Sequence, residues 1–514
     1  MAATAAALAL PALFSFGVDA GPLGGPLPGV EITRMDGTTY LQFHYDRELF
    51  PSPPWRLEQT TDLENWEEIS VPAEGLDLSL VPEGSFFRLV GEGEGPETVA
   101  EVDAAIPYQV IDGFGASAAF TAQNISDELA DAFFDPETGL GLSLCRIRIN
   151  FRDRNWEGEW SSWELRTARK AVQRGARVWA VPWSAPGEFK EGYADPERDF
   201  VGGSVRPDAY AEYAEAFADF IEYAATEGVP LYGISTQNEP DYREHAYESC
   251  DWSAAALLEF VTAHLQPTLQ ERDLSHVQVI GPETMNWNRS SYDGFREPGN
   301  VDILAFHNYD WVYDFFGPGT RNRWPQPVDT DKRVWQSEIS DIFSGRSFTD
   351  TIEDALDWAE YLHYCLTVTN LNAWHWWWLL PSVQSDLNQS LVIGSQDDDS
   401  HSFLKRAYAI GQFSKFIRPG YRRIHLEDAL APGLQASAYH GPDGAIVLVV
   451  INPTPASFRQ GFSGLPSDAL VEVWETSAAK SLEHTATTRT GLNGFHATVP
   501  AQSILTFHID PLHD

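Results

Sequence analysis

Two glutamates stand at the ends of apolar runs, each inside a short polar motif. The first run reads Leu231-Tyr232-Gly233-Ile234-Ser235-Thr236-Gln237-Asn238-Glu239-Pro240, the second Arg333-Val334-Trp335-Gln336-Ser337-Glu338-Ile339-Ser340. An apolar strand that stops at an acidic residue is how a (β/α)8 barrel presents reactive groups at its C-terminal rim. Two carboxylates facing each other across such a mouth are what glycosidic bond cleavage requires. A lone glutamate after a strand is usually just solvated. The Asn238-Glu239-Pro240 triplet says more, because asparagine can hold a sugar hydroxyl while proline fixes the turn behind the acid.

Other strand ends add candidates around that mouth. Cys145-Arg146-Ile147-Arg148-Ile149-Asn150 alternates, so Arg146, Arg148 and Asn150 share the face opposite Cys145 and the isoleucines. In a closed barrel the apolar face meets the helices, which sends the arginines into the lumen. Buried there they need carboxylate partners, and one beside Glu338 would keep that group ionised. The bland alternative is a structural ion pair low in the barrel. Trp183 lies between Pro182 and the Ser184-Ala185-Pro186 turn, well held to form a wall of a sugar site. Phe306-His307-Asn308-Tyr309 brings a tyrosine hydroxyl toward Glu338, and Asn372-Ala373-Trp374-His375-Trp376-Trp377-Trp378 offers Trp374 and Trp376 as a sugar platform.

The elements that must position these residues follow from the hydrophobic pattern. The chain has 514 residues, more than the roughly 250 of one barrel, so accessory domains are expected. Residues 1–20 are Ala/Leu-rich and end in Val18-Asp19-Ala20, like a secretory signal with a small-residue cleavage site. Residues 21–29 read as a linker, 30–90 as a small β module and 91–97 as a second linker. The fold class is α/β: across 98–419, short apolar strands alternate with helical patterns, as an eight-stranded barrel requires. The expected strands are 109–113, 142–150, 178–183, 231–235, 277–281, 303–307, 334–336 and 373–377. Residues 420–514 return to alternating strands such as 445–453 and 503–509, a β-sandwich to which a strand from 98–107 could contribute.

Composition bounds the partners. The net charge of −41, with 75 acidic against 34 basic residues, repels phosphate backbones and anionic membranes, so a nucleic-acid partner is excluded. Such acidity also suits salty surroundings. After the N-terminal stretch no apolar run reaches the ~20 residues of a membrane span. Three cysteines, Cys145, Cys250 and Cys365, have no metal-ligand spacing and cannot build a disulfide framework. A secreted or periplasmic monomer acting on a polysaccharide is expected.

Taken together, the motifs Ile111-Asp112-Gly113-Phe114-Gly115-Ala116-Ser117, Pro182-Trp183-Ser184 with Pro186 and Lys190, Gln237-Asn238-Glu239-Pro240, Ser337-Glu338 and Ile417-Arg418-Pro419-Gly420-Tyr421 resemble glycoside hydrolase family 30. The resemblance runs from about Val99 to Ile509 and implies a retaining clan A enzyme with a (β/α)8 barrel and a side β-sandwich. It implies Glu239 as acid/base, Glu338 as nucleophile and Asn238 as the ligand of the sugar 2-hydroxyl. Arg146 matches the family's lumenal arginine, and Trp183, His307 and Tyr309 match positions lining the catalytic subsite. Asp241-Tyr242 and Tyr247-Glu248-Ser249-Cys250 look closest to the secreted endo-xylanases, and the latter argues against a glucosylceramide hydrolase. Glucuronoxylan-specific members carry arginines just after the eighth strand, where this chain has Leu379-Leu380-Pro381.

The expectation is therefore an endo-acting hydrolase of β-1,4-xylan without strict need of a glucuronic acid branch. A β-1,6-galactan or β-1,6-glucan is the alternative substrate. A non-catalytic glycan-binding barrel is the alternative class, and it would be expected to have lost one of the glutamates. Neither metal nor organic cofactor is implied; Asp397-Asp398-Asp399 reads as a solvated acidic loop.

Overall fold

The computed structural model describes residues 98–511 apart from 152–158, 192–199, 243–246, 288–289, 310–329, 344–347, 382–383 and 395–400. Before residue 98 it describes the backbone of short strands alone. The acidic triplet 397–399 lies outside the described residues, as does most of 1–28.

Eight parallel strands close into a barrel: β1 (Gly113–Ser117), β2 (Leu144–Arg148), β3 (Arg177–Val181), β4 (Leu231–Ser235), β5 (Gln278–Thr284), β6 (Ile303–Phe306), β7 (Arg333–Gln336) and β8 (Ala373–Trp378). β8 pairs back onto β1 and completes the ring. Alternation splits the strand side chains between two cores. Leu144, Trp179, Val181, Ile280, Ile303, Ala305, Trp335, Ala373 and Trp377 fill the lumen. Cys145, Ile147, Val178, Ala180, Val279 and Leu304 join the helices outside. Tyr213, Phe217, Phe220 and Ile221, on the helix Tyr210–Thr226, are buried as their helical spacing predicts. The same holds for Leu356, Ala359 and Leu362 on Ile352–Thr367, which Thr351 caps at its N-terminus.

The first barrel strand differs from the expected 109–113. Thr98–Val110 instead runs as a 13-residue strand of the side sheet, pairing with Arg422–Leu426 and Phe458–Ser463, and the barrel begins at Gly113. The side domain is a nine-stranded array in which Ile446–Asn452 pairs with Gln435–His440 on one side and Ser503–Asp510 on the other. Ile446, Leu448 and Val450 of that strand pack into the sandwich core. Val447, Val449 and Ile451, on the other face, join the barrel's outer core, so one strand apolar on both faces bonds the two domains. Upstream, Gly29–Met35, Thr38–His44 and Leu76–Asp77 form one sheet, and Ser15–Phe16, Trp55–Thr60, Glu67–Ile69 and Phe86–Gly91 another.

No helix among the described residues is long and apolar enough to cross a membrane. Cys145, Cys250 and Cys365 are buried thiols, and burial pushes each of them up from its ordinary value.

Candidate active site

The C-terminal ends of β2, β4, β5, β6 and β7 converge on one cluster. Past the strands the backbone pairing continues: Asn238 N–H donates to the Pro182 carbonyl (2.9 Å), Glu239 N–H to Glu283 (3.1 Å), His307 N–H to Thr284 (2.9 Å) and Ser337 N–H to Phe306 (3.0 Å). Four non-glycine residues of this rim adopt left-handed backbone, Phe120 (φ 66°), Glu239 (φ 45°), Glu283 (φ 59°) and Asn308 (φ 76°). Strain of this kind persists where the surroundings over-determine a conformation, as functional sites do.

Arg146 organises the cluster. Fully buried, it forms ion pairs with Glu338 and Glu283, the latter at 2.5 Å, and donates to Asn238 Oδ1 at 2.6 Å. Its guanidinium also lies 4.7 Å from the Trp183 ring centre. The other Glu338 oxygen accepts from the Tyr309 hydroxyl at 2.8 Å. His307 Nδ1 sits 2.9 Å from Glu239 Oε1 and 3.6 Å from Glu338 Oε1, with Nε2 3.3 Å from Glu283 Oε1.

These contacts sort the charges. Burial pushes Glu239 up; the His307 contact opposes this, and the charges of Glu338 and Asp241 add to it, leaving the group above its ordinary value. Burial also favours neutral Glu283, but Arg146 and His307 more than offset it and hold the group low. Burial would depress His307, yet its three carboxylate neighbours raise it to about 10. Burial and the nearby carboxylates keep the Tyr309 hydroxyl protonated. Thus a carboxyl held above its ordinary value is set beside an arginine-paired one. One oxygen from Glu239, one from Glu338 and a His307 nitrogen lie within 4.8 Å of one another. A cation placed there would face Arg146 and a protonated imidazole, so the charge pattern opposes a metal.

A cleft of about 500 Å³ opens over this cluster, lined by Trp183, Asn238, Glu239, Tyr309 and Glu338 together with Phe120, Tyr242, Tyr247, Met285, Ile342, Trp377, Trp378 and Gln389. Trp183 packs on Trp377 (5.6 Å) and edge-on to Phe120 (5.1 Å), and Trp377 stacks on Trp378 (5.0 Å). Arg148 reaches the rim, where Glu248 accepts from its Nη1 at 3.1 Å and its guanidinium covers Phe120 at 4.3 Å. Asn150 is buried beyond β2 and is not one of the cleft-lining residues.

Trp374 and Trp376 are corrected. Both are fully buried against the outer core, where Trp376 packs on Trp358 of the helix Ile352–Thr367 at 4.7 Å. Register decides this. Trp335 faces the lumen and is paired with Ala373, so Ala373, His375 and Trp377 face inward and Trp374 and Trp376 outward. A register shift between Trp376 and Trp378 then lets Trp377 and Trp378 both reach the cleft. His375 meets Trp179 Nε1 at 3.0 Å, and burial pushes it down to about 3, so it is a neutral lumenal packing residue.

Glu283 escaped the sequence reading, which ended its strand at Gly281. The available signal was an acidic residue at an apolar strand end, the one that marked Glu239 and Glu338. Replacing Arg146 by methionine leaves Glu283 and Glu338 without their cation. It should cost about 3–5 kcal/mol of folding stability. Urea unfolding measures this; a loss below about 1 kcal/mol would mean that the carboxylates take up protons instead.

A parallel barrel whose rim sets a carboxyl held above its ordinary value beside an ion-paired one in an aromatic cleft has the parts of a glycoside hydrolase. Comparison with known proteins agrees. Residues 148–281 match the family description "Glycosyl hydrolase family 30 TIM-barrel domain" and residues 420–507 "Glycosyl hydrolase family 30 beta sandwich domain". A glucuronoxylanase of Bacillus subtilis is 30% identical over 422 residues, covering 79% of this chain and 90% of that protein. A putative glucosylceramidase of Caenorhabditis elegans is 22% identical, covering 79% and 82%. The structure of a glycoside hydrolase family 30 subfamily 8 xylanase from Clostridium acetobutylicum aligns with a TM-score of 0.66 at 27% identity, covering 80% of this chain and all of that one. The chain belongs to glycosyl hydrolase family 30, and it is a glycoside hydrolase.

Proposed function

We propose that the protein is a secreted, retaining endo-β-glycosidase that hydrolyses β-1,4-xylan by double displacement. The observation that carries the mechanism is the placing of Glu239 and Glu338 with oxygens within 4.8 Å of each other. Retention uses carboxyl groups about 5–5.5 Å apart, whereas inversion needs roughly 6.5–9.5 Å to admit a water. Glu338, paired with Arg146 and aligned by the Tyr309 hydroxyl, attacks the anomeric carbon. Glu239 gives its proton to the departing oxygen, then removes one from the water that frees the sugar. As the ester forms, the negative charge on Glu338 disappears, which removes one support of the raised Glu239 value just when that group must act as base. Asn238, beside Glu338 across Arg146, is set to hold the 2-hydroxyl, and Trp183 and Trp377 supply ring-stacking faces.

The xylanase relatives support xylan as the substrate. Leu379 and Leu380 are fully buried, and no lysine or arginine is among the described residues lining the cleft. That supports independence from a glucuronic acid branch, since a branch carboxylate would find no cation among those residues. The signal-like stretch 1–20 supports secretion.

Product analysis on glucuronoxylan, arabinoxylan, linear xylan, β-1,6-galactan and β-1,6-glucan tests the reading, with the Glu338→Gln variant as blank. Xylo-oligosaccharides from linear xylan and glucuronoxylan alike are expected. Oligomers from a β-1,6-linked polymer alone would keep the mechanism and overturn the substrate. Products from glucuronoxylan but not linear xylan would restore the branch requirement.

A further inference from the structure

We propose that Glu283 is a positioning residue that holds His307 as an imidazolium, so that one fixed positive charge serves Glu338 before glycosyl transfer and Glu239 after it. The inference rests on the acid/base and nucleophile roles proposed above. Glu283 touches neither the cleft nor any atom that reacts, and it is fully buried. Its Oε1 lies 2.5 Å from Arg146 Nη2 and 3.3 Å from His307 Nε2, so one oxygen ties together the two cations of the cluster. The opposite ring nitrogen faces the two reactive carboxyls, 2.9 Å from Glu239 and 3.6 Å from Glu338. With Nε2 on the Glu283 carboxylate and Nδ1 facing the Glu338 carboxylate, the ring can turn a proton to both only when doubly protonated.

Charge counting gives this arrangement its purpose. Before reaction, Arg146 and His307 balance Glu283 and Glu338, and Glu239 is neutral because it carries the acid proton. In the glycosyl-enzyme, Glu338 is a neutral ester and Glu239, having given its proton to the leaving group, carries the negative charge. The net charge of the five groups is zero in both states, and the charge that moves stays within reach of His307 Nδ1. A buried cluster that stays neutral avoids the large cost of an uncompensated charge in a water-poor site. Without Glu283 the count becomes +1 in both states, and His307 would shed its proton to restore neutrality. The groups that face His307 from neighbouring elements are Glu239 after β4, Glu283 on β5, Tyr309 two residues on and Glu338 after β7, with Arg146 on β2 bound to two of them.

The test reads His307 directly, by NMR of histidine ring 13C nuclei in the full chain, with His307→Asn assigning the signal. Wild-type His307 is expected to stay doubly protonated from pH 5 to pH 8.5. In Glu283→Gln its midpoint should move into that window, a fall of about 2 pH units. Because the imidazolium is what holds Glu239 down, its loss should move the alkaline limb of kcat/KM on xylan, which Glu239 sets, to higher pH, and the rate should fall about 100-fold. Glu283→Asp, which keeps the charge, should leave the limb in place while slowing turnover. A wild-type His307 that titrates near the ordinary histidine value overturns the proposal even if neither variant folds. So does a Glu283→Gln enzyme whose rate falls equally at every pH. If the NMR result holds but wild-type enzyme cleaves no glycoside, the roles assigned to Glu239 and Glu338 fail while the Glu283–His307 coupling stands.

Discussion

Glu338→Gln is expected to lower kcat on xylan by at least about 10⁴-fold while the protein stays folded. The amide keeps the shape of the side chain, but it loses the charge that Arg146 and the Tyr309 hydroxyl hold in place. It cannot form the glycosyl ester, and its NH2 group must compete with two donors already aimed at its position. Steady-state kinetics on an aryl xylobioside, with a melting curve alongside, would measure the loss. Adding azide to Glu338→Gly sharpens the assignment. If Glu338 is the nucleophile, azide enters from its face and gives a glycosyl azide of inverted configuration. A retained azide product would exchange the roles of the two glutamates, and a Gln variant within tenfold of wild type would remove Glu338 from the chemistry.

The second large effect depends on the leaving group. Glu239→Gln should slow xylan cleavage by about 10³-fold, within the range for general acid–base catalysis. It should scarcely change formation of the glycosyl-enzyme from a dinitrophenyl glycoside, which leaves without a proton. The pH profile carries the sign. Burial, with Glu338 and Asp241, raises Glu239 above its ordinary value despite His307. Wild-type activity that needs the protonated acid is therefore held through the usual carboxylate range and lost as pH rises through the raised value. The Gln variant has no proton to lose there, so its rate on the activated substrate should show no alkaline limb. A variant that loses the same factor on both substrates would place Glu239 in binding rather than in proton transfer.

The places where the sequence reading failed share a cause. Arg146 was legible because its strand alternates cleanly: cysteine and isoleucine on one face can only meet the helices, so the arginine must turn inward. Trp374 and Trp376 were not, because 372–378 is bulky and aromatic on both faces and polarity does not choose between them. The choice came from β7, where Trp335 faces inward and fixes the partner residue Ala373. The end of the strand at 98–110 was likewise ambiguous: 98–107 was offered to the sandwich, where it lies, but 109–110 to the barrel. Contacts with segments more than 300 residues away assigned it to the side domain.

The sequence by itself determined the barrel and sandwich, through hydrophobic period and strand-end punctuation, and pointed to Glu239, Glu338, Asn238, Trp183, Tyr309 and Arg146 as members of one rim, with His307 added by the family resemblance. Those signals are local, because an apolar run ending in a polar motif is written in adjacent residues. Tertiary structure alone decided how the rim is wired. It gave Arg146 three partners drawn from three other strand ends, and it brought Glu283 behind His307. It also turned Trp377 and Trp378, rather than Trp374 and Trp376, toward the substrate. Register and ion pairing are relations between distant strands, and barrel closure sets them.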